Sequence, residues 1–273
     1  MPQAPMSPEA LIAWLSLPLS GAATHVVPLH VSWHGRLMVL SWGLAVPVAA
    51  LLARFFKVTP RQDWPRVLDN RFWWHGHRGL NFASVGLTVV AAVLVIGSTT
   101  LDQGATRLWH AVSGWTVIVL ASVQVVSALL RGTKGGPTAP RPTWPGQAPD
   151  LHGDHYAMTP RRIWFERVHK SAGWTTVLAA LAAMGSGLWA ADALRWMVAG
   201  LTLLWTVLLM AFIRWQRDGR CLDTYQAIWG PGLELPGHAR PPVGFGVRRL
   251  KPGEPGPWQA AAPASTAATR PPL

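Results

Sequence analysis

Four histidines each stand near the start of a long apolar segment, and imidazole is the side chain that most often binds metals in proteins. They are His34, His77, His110 and His169. Consecutive membrane helices alternate in direction, so the first and third histidines are predicted to lie at one membrane face and the other two at the opposite face. Paired imidazoles fill both axial positions of an iron porphyrin. The pattern therefore predicts two haem irons, one held by His34 and His110 and one by His77 and His169.

Five apolar runs supply the elements that would position these histidines. They are Leu37–Phe56, Leu80–Ile96, Leu108–Leu130, Ala172–Ala191 and Trp196–Ile213. A helix needs roughly 20 residues to cross a bilayer core about 30 Å thick, and only 13% of the 273 residues are charged. The predicted fold class is an all-α membrane protein with five transmembrane helices. Four would form a bundle around two haems, with one peripheral helix.

The net charge of +12 could indicate a nucleic-acid partner, but the position of the cations favours another explanation. In the five-span arrangement only Arg36, Arg107 and Arg195 of the 24 Lys and Arg lie on one side of the membrane. This asymmetry follows the positive-inside rule. It predicts the lipid bilayer and no nucleic acid as partner, an outer N-terminus and a cytoplasmic C-terminus. The Ala-, Pro- and Trp-rich composition indicates a bacterial cytoplasmic (inner) membrane.

The chain has one cysteine, Cys221, and therefore no C-x-x-C-H motif for covalent haem attachment. The predicted cofactors are accordingly two non-covalent b haems. Haem propionates need cations or hydrogen-bond donors. Arg36 and Arg107 lie within three residues of the outer histidines, and we expect them to bind the outer propionates.

A short repeat, H-x-x-x-G-W, begins at His110 and again at His169. Residues four apart share one face of a helix, so Gly114 and Gly173 leave space beside these histidines. A flat macrocycle would need such space.

The inner pair leaves a choice open, because His75 and His77 lie two residues apart and cannot both face the bundle centre. His77 is closer to the apolar run and has Asn81 one turn later, so His77 is preferred and Asn81 is placed beside the cofactor. His30, four residues before His34, is interpreted as a loop or solvent group.

Three regions are expected along the chain. Residues 1–30 form a short outer segment, residues 31–215 form the transmembrane domain, and residues 216–273 form a cytoplasmic tail. From about residue 252 the tail is rich in Pro and Ala and is expected to be disordered.

Several of these motifs resemble the cytochrome b561 superfamily. The letters H-G-R-L-M from His34, followed by S-W-G and A-R, resemble its first core helix. Trp73 to Asn81 resembles the W-F-x-x-H-x-x-x-Q stretch of the branch in eukaryotic ferric-chelate-reductase-like proteins, with Asn81 replacing glutamine. The spacings at His110 and His169 fit the third and fourth histidine motifs. The likeness covers about residues 30–215 and lacks the DOMON domain of that branch.

The resemblance implies a four-helix core with two b haems and electron transfer across the membrane. Relatives of this kind take electrons from cytoplasmic ascorbate or other donors and reduce outer acceptors such as ferric chelates or monodehydroascorbate. The expected partners are a small-molecule or protein donor and acceptor. A transmembrane ferric- or ascorbate-type reductase activity is expected on this basis, while the sequence leaves the enzyme assignment and oligomer formation open.

Three alternatives compete with this interpretation. The chain could be a haem-bearing anchor subunit of a periplasmic redox enzyme, which would use the same histidines. A transporter is disfavoured because all 12 Asp and Glu lie outside the apolar runs. A di-iron oxygenase is disfavoured because its histidine boxes would have to converge, whereas His30/His34 and His152/His155 are predicted on opposite faces.

Overall fold

The computed structural model describes residues 6–23, 26–97, 104–136 and 152–259, and these ranges contain helices but no β-strand. The all-α class is therefore confirmed. The α-helices are α1 (Pro8–Leu15), α2 (Leu29–Met38), α3 (Val46–Phe55), α4 (Phe72–Ile96), α5 (Ala105–Leu129), α6 (Pro160–Ala190), α7 (Arg195–Arg217) and α8 (Thr224–Trp229). A π-helical segment, Val39–Ala45, joins α2 to α3, and a short 3₁₀ turn covers Pro236–Ala239.

Within the described residues, four segments are long and apolar enough to cross a membrane. They are Leu29–Phe55, Phe72–Ile96, Ala105–Leu129 and Arg195–Arg217. Length and composition thus support four of the five predicted spans. The 31-residue helix α6 is the longest described helix, but its many Gly, Ser and Thr residues lower its hydropathy below that of the other four.

The first span changes its hydrogen-bond pattern in its middle. Pro47 has no N–H and its ring crowds the carbonyl four residues earlier, which disturbs an α-helical ladder there. The chain instead forms the π-helical segment, in which the Val46 N–H donates to the Ser41 carbonyl. Ser41, Trp42 and Gly43 are all buried in this segment. The local irregularity therefore sets which side chains enter the bundle.

The bundle consists of two antiparallel helix pairs and one outlying helix. The continuous unit α2–α3 packs on α4, α5 packs on α6, and the π-helical segment contacts α4 and α6. Trp42, Val117, Ala180 and Met184 form the buried centre. Helix α7 contacts α3, α1 and the π-helical segment and has no buried residue, as expected for a peripheral helix.

Residues 57–71, 131–136, 152–159 and 218–259 pack together at the end of the bundle that carries the starts of α4 and α6, and we call them the cap. One cluster joins Val58, Trp64 and Leu222, and another joins Met158 and Tyr225, with all of α8 buried. The sequence predicted a tail for residues 216–273 and no packed unit here. The physical reason for a compact unit is that the apolar groups of these segments bury one another.

The tail remains packed beyond the predicted onset of disorder at residue 252. Trp258 lies 5.0 Å from the ring of Phe56 and donates from Nε1 to the Phe55 carbonyl at 3.3 Å. The packed part thus reaches Trp258, because this indole caps the end of the first span. The rest of the expected disordered segment, residues 260–273, lies outside the described residues.

The N-terminal segment is tied to the turn between α6 and α7. The Leu19 N–H donates to the Ala193 carbonyl and the Arg195 N–H donates to the Leu17 carbonyl, both at 3.0 Å. Ser20 donates its N–H and its hydroxyl to the Asp192 carboxylate at 2.8 and 2.6 Å. Helix α1 has no buried residue.

A buried histidine in the cap makes stability depend on pH. His155 is 2% exposed and its ring lies 5.8 Å from Tyr225 and 5.9 Å from Trp229. Burial, reinforced by the charge of Arg162, lowers the pKa of His155 from 6.5 to about 3. The neutral ring is therefore favoured in the folded protein, and its contribution is present above pH 6.5 and is lost as the pH falls towards 3.

We expect His155→Phe to reduce the acid sensitivity of the purified protein, measured as the unfolding temperature at pH 7.5 and at pH 4.5. Each pH unit within that window costs the wild type up to about 1.4 kcal/mol. The matched control, His152→Gln, changes an exposed histidine three residues away and should behave as wild type. Equal losses in the wild type and His155→Phe would contradict this prediction.

Candidate functional site

The structure brings the four histidines together in two pairs. The ring centroids of His34 and His110 lie 6.0 Å apart with the rings at 84°. Those of His77 and His169 lie 6.1 Å apart with the rings at 75°. The first pair joins α2 to α5 and the second joins α4 to α6. Each pair therefore links one helix pair of the bundle to the other.

Three of the rings are fixed by a backbone carbonyl on the neighbouring antiparallel helix. Nδ1 of His34 lies 2.9 Å from the Ala91 oxygen, and Nδ1 of His110 lies 2.8 Å from the Ala183 oxygen. Nδ1 of His77 lies 3.0 Å from the carbonyl oxygen of Ala49. A carbonyl only accepts, so Nδ1 carries the proton and Nε2 keeps the lone pair. This is the arrangement expected of metal-binding imidazoles.

His169 is held differently. Its Nδ1 lies 3.4 Å from the Ser127 hydroxyl, and its own carbonyl accepts a hydrogen bond from Gln124 at 2.8 Å. The ring stacks on Phe165 with centroids 5.2 Å apart. Orientation here depends on side chains of α5 and on stacking, so this ring has the weakest polar restraint of the four.

The separation within each pair fits one metal ion held between two imidazoles. Metal–imidazole bonds of about 2.0–2.1 Å on opposite sides, plus the radius of each ring, put the centroids roughly 6 Å apart. Among the described residues no group of three or more His, Cys, Asp or Glu could hold a metal ion. Two ligands per site suit an iron whose remaining positions are filled by a macrocycle.

The remaining predicted residues lie around the pairs. The Asn81 amide donates to the His77 carbonyl at 2.7 Å and lies 3.4 Å from its Nδ1, so it contacts the histidine directly. Arg36 lies over the Trp33 ring at 5.3 Å. Arg107 is in the first turn of α5, three residues before His110.

The two glycines of the repeat differ in their surroundings. A Cβ added at Gly114 would meet no atom within 4 Å, whereas one at Gly173 would lie 3.5 Å from the Gln124 amide nitrogen. Gly114 therefore faces open space, whereas Gly173 lies against Gln124, and the space for a macrocycle stays a prediction at both positions.

The competing histidines are also placed. His75 is exposed and His77 is half-buried against α3, which favours His77 for the pair. His30 lies within α2, one turn before His34. Its Nε2 is buried and has no hydrogen-bond partner among the described residues, so the interpretation as a loop or solvent group is wrong.

One important contact could not be read from the sequence. A Cβ at Gly187 would lie 2.8 Å from Cε1 and 2.9 Å from Nδ1 of His110. The imidazole therefore rests against the backbone of α6, where only glycine leaves enough room. Gly187 belongs to a run of small residues, and only the rotation of α6 against α5 distinguishes it from its neighbours.

The layer between the two pairs is polar in part. The Trp42 indole donates to the Thr88 hydroxyl at 2.9 Å, and Thr88 donates to the Ser84 carbonyl at 2.7 Å. The hydroxyls of Ser41 and Ser84 are buried without a partner in the described part of the chain. Trp42 thus lies fixed in the middle of the bundle.

The fold and the site define an all-helical protein with four membrane-length helices and two histidine pairs, and comparisons with known proteins agree with this description. Ferric-chelate reductase 1 of Bos taurus is 31% identical over 159 residues, which are 57% of this chain and 22% of that protein. A putative ferric-chelate reductase 1 of Xenopus laevis is 34% identical over 109 residues, covering 38% of this chain and 17% of that protein.

A cytochrome b561, DM13 and DOMON domain-containing protein of Arabidopsis thaliana is 26% identical over 155 residues, covering 57% of this chain and 14% of that protein. These matches confirm the resemblance to the cytochrome b561 superfamily, and with the four long apolar helices they indicate an integral membrane protein. It spans about a fifth of the length of the ferric-chelate reductases it matches. No family model and no solved structure matches the chain.

We expect Gly187→Ala to lower the stability of the bundle, because the added methyl group must displace the His110 ring. Such overpacking typically costs about 1–3 kcal/mol. The control is Gly185→Ala on the same helix, where an added Cβ meets nothing within 4 Å. Unfolding temperatures in detergent should fall for the first variant only, and an equal effect in both would contradict the contact.

Proposed function

We propose that this chain carries electrons across a membrane by means of two non-covalent b haems. His34 and His110 bind the outer haem, and His77 and His169 bind the inner haem. The observation that carries the proposal is the separation of 6.0 and 6.1 Å between the paired rings. The anchoring of three Nδ1 atoms to carbonyls, which leaves Nε2 free to bind iron, supports it.

The spacing of the pairs suits this role. His77 and Ala91, which contacts His34, lie 14 residues apart on α4, or about 21 Å at 1.5 Å per residue. Two haems at these levels divide the electron's path across a bilayer core about 30 Å thick into shorter steps. The haems supply the one-electron chemistry, while the protein positions them and sets their surroundings. Arg36 and Arg107 bind the outer propionates, and Asn81, Gly114 and Gly173 line the cofactors.

The remaining features of the proposal concern topology. Five helices, including α6, cross the bacterial cytoplasmic membrane within residues 31–215. The N-terminal segment lies outside, and the cap, including residues 216–259, lies in the cytoplasm. The placement of cations supports this orientation. Electrons pass from a cytoplasmic or membrane donor to an outer acceptor such as a ferric or other metal chelate, which makes the protein an oxidoreductase.

A second candidate function is a haem-bearing membrane anchor that passes electrons to a separate redox protein. It would use the same two histidine pairs. A transporter is less well supported because the four candidate spans contain no Asp or Glu. A di-iron oxygenase is also less well supported. Its histidine boxes would have to converge, whereas His34 and His155 lie at opposite ends of the bundle.

We expect the purified full-length protein to contain two low-spin b haems per chain, measured by optical spectroscopy and haem quantitation. His77→Ala should reduce the content to one haem, because it removes one axial ligand of the inner iron. The matched control is His75→Ala, two residues earlier and exposed, which should retain both. Absence of haem from the wild type would overturn the proposed function, and loss in His75→Ala alone would move the ligand to His75.

We also expect His110→Ala to remove the outer haem while the inner haem keeps its low-spin spectrum. The two pairs share no residue, so loss of one need not release the other. Loss of both haems from a variant that retains its helical circular-dichroism signal would contradict the pairing.

A further inference from the structure

Two arginines, Arg78 and Arg131, share one indole where α4 begins and α5 ends, and we call them the arginine pair. Cζ of Arg131 lies 4.4 Å from the centre of the Trp74 ring, and Cζ of Arg78 lies 5.9 Å from the same ring. Arg78 also lies 5.9 Å from the ring of Phe82, one turn further along α4. Cation–π contacts of this kind hold the two positive charges beside each other.

The protein does not neutralise the arginine pair. In the described part of the chain no ion pair joins either guanidinium to a carboxylate. The three acidic residues near the starts of α4 and α6 have other partners, namely Asp69 with Lys134, Asp154 with Thr133 and Thr159, and Glu166 with Arg162 and Lys170. Burial, followed by the charges of Arg162 and Arg78, lowers the pKa of Arg131 below its usual value. Like charges held together repel, so this site favours an anion.

The arginine pair lies where helices of membrane length end. Trp74 and Arg78 are in the first two turns of α4, and Arg131 follows α5, which ends at Leu129. Both helices are candidate spans, and the ends of spans meet the lipid headgroups. Phe82 is 57% exposed and lies one turn further into the span. The cluster therefore has cations at the headgroup level and an exposed apolar ring at the level of the acyl chains.

Arg78 faces away from the neighbouring histidine pair, although it follows His77 directly. Consecutive residues of a helix point about 100° apart. His77 lies against the Ala49 carbonyl of α3 and faces His169, whereas Arg78 is exposed and contacts Phe82. An anion at Arg78 is therefore approached from the lipid-facing side of α4 and not from the centre of the bundle.

We propose that the arginine pair binds the phosphate group of an anionic phospholipid, with Trp74 beside the headgroup and Phe82 against the start of an acyl chain. Guanidinium groups donate forked hydrogen bonds that match phosphate oxygens, and basic pockets at the ends of membrane helices bind anionic headgroups. A zwitterionic phospholipid carries its own cation and neutralises the arginines less well. The proposal rests on the placement of α4 and α5 as spans in the proposed function, and it does not depend on haem.

Binding is measured by native mass spectrometry of the full-length protein in detergent, titrated with phosphatidylglycerol and separately with phosphatidylcholine of the same chain length. We expect the wild type to prefer phosphatidylglycerol. Arg78→Gln and Arg131→Gln should each weaken its binding about fivefold, because each removes one cation from the headgroup level. The double variant should lose the preference between the two lipids.

The matched control is Arg214→Gln in the last turn of α7, at the same end of the bundle. It removes the same charge from a side chain that is 76% exposed, and it should bind both lipids as the wild type does. An equal loss in Arg214→Gln would show a general effect of surface charge and overturn the inference. Equal affinity of the wild type for the two lipids would also overturn it.

Haem content, helical circular dichroism and unfolding temperature are measured for every variant. Should Arg131→Gln not fold, the exposed Arg78→Gln decides. Loss of haem from either variant with the lipid preference retained would assign the arginines to a cofactor, and tighter binding of inorganic phosphate than of phosphatidylglycerol would assign them to a free anion. Both results overturn the inference. Wild-type protein that lacks haem but prefers phosphatidylglycerol supports it and overturns only the proposed electron transfer.

Discussion

The arrangement of the bundle depends on hydrogen bonds from histidine Nδ1 to carbonyls of the neighbouring helix. His34 and His77 bind carbonyls across the contact between the first span and α4, and His110 does so between α5 and α6. A helical carbonyl already accepts one backbone hydrogen bond and has a second lone pair for the imidazole. In an apolar environment an unpaired ring nitrogen is costly, so these contacts fix both helix register and ring orientation.

The packing between the pairs follows from this register. Because His110 lies against the α6 backbone at Gly187, α5 and α6 approach closely along their length. The π-helical segment then turns Trp42 into the centre, where its indole reaches Thr88 of α4. Small and hydroxyl-bearing residues let membrane helices approach and bond in this way. The hydrogen bonds of Trp42 and Thr88 therefore join the first span to α4 between the two histidine pairs.

Sequence reasoning identified the features that depend on order along the chain. Helix direction alone paired His34 with His110 and His77 with His169, and four of the five apolar runs coincide with candidate spans. Features that depend on rotation of one helix about another were missed, including Gly187 and the contact between Ser127 and His169. The cap was missed for a related reason. Val58, Leu222 and Leu250 form one cluster although they are distant in the sequence. The short segment around each residue shows no pattern that predicts this packing.

The cap covers the end of the bundle that carries the pair of His77 and His169. Trp73 and Ile163 pack against its core, and Lys170, the residue after His169, donates to the Val243 carbonyl at 2.7 Å. Lys170 and Arg162 both pair with the buried carboxylate of Glu166, at 2.6 and 3.1 Å, so these cations are already neutralised in part. In the proposed function, a soluble donor would therefore act through this packed layer.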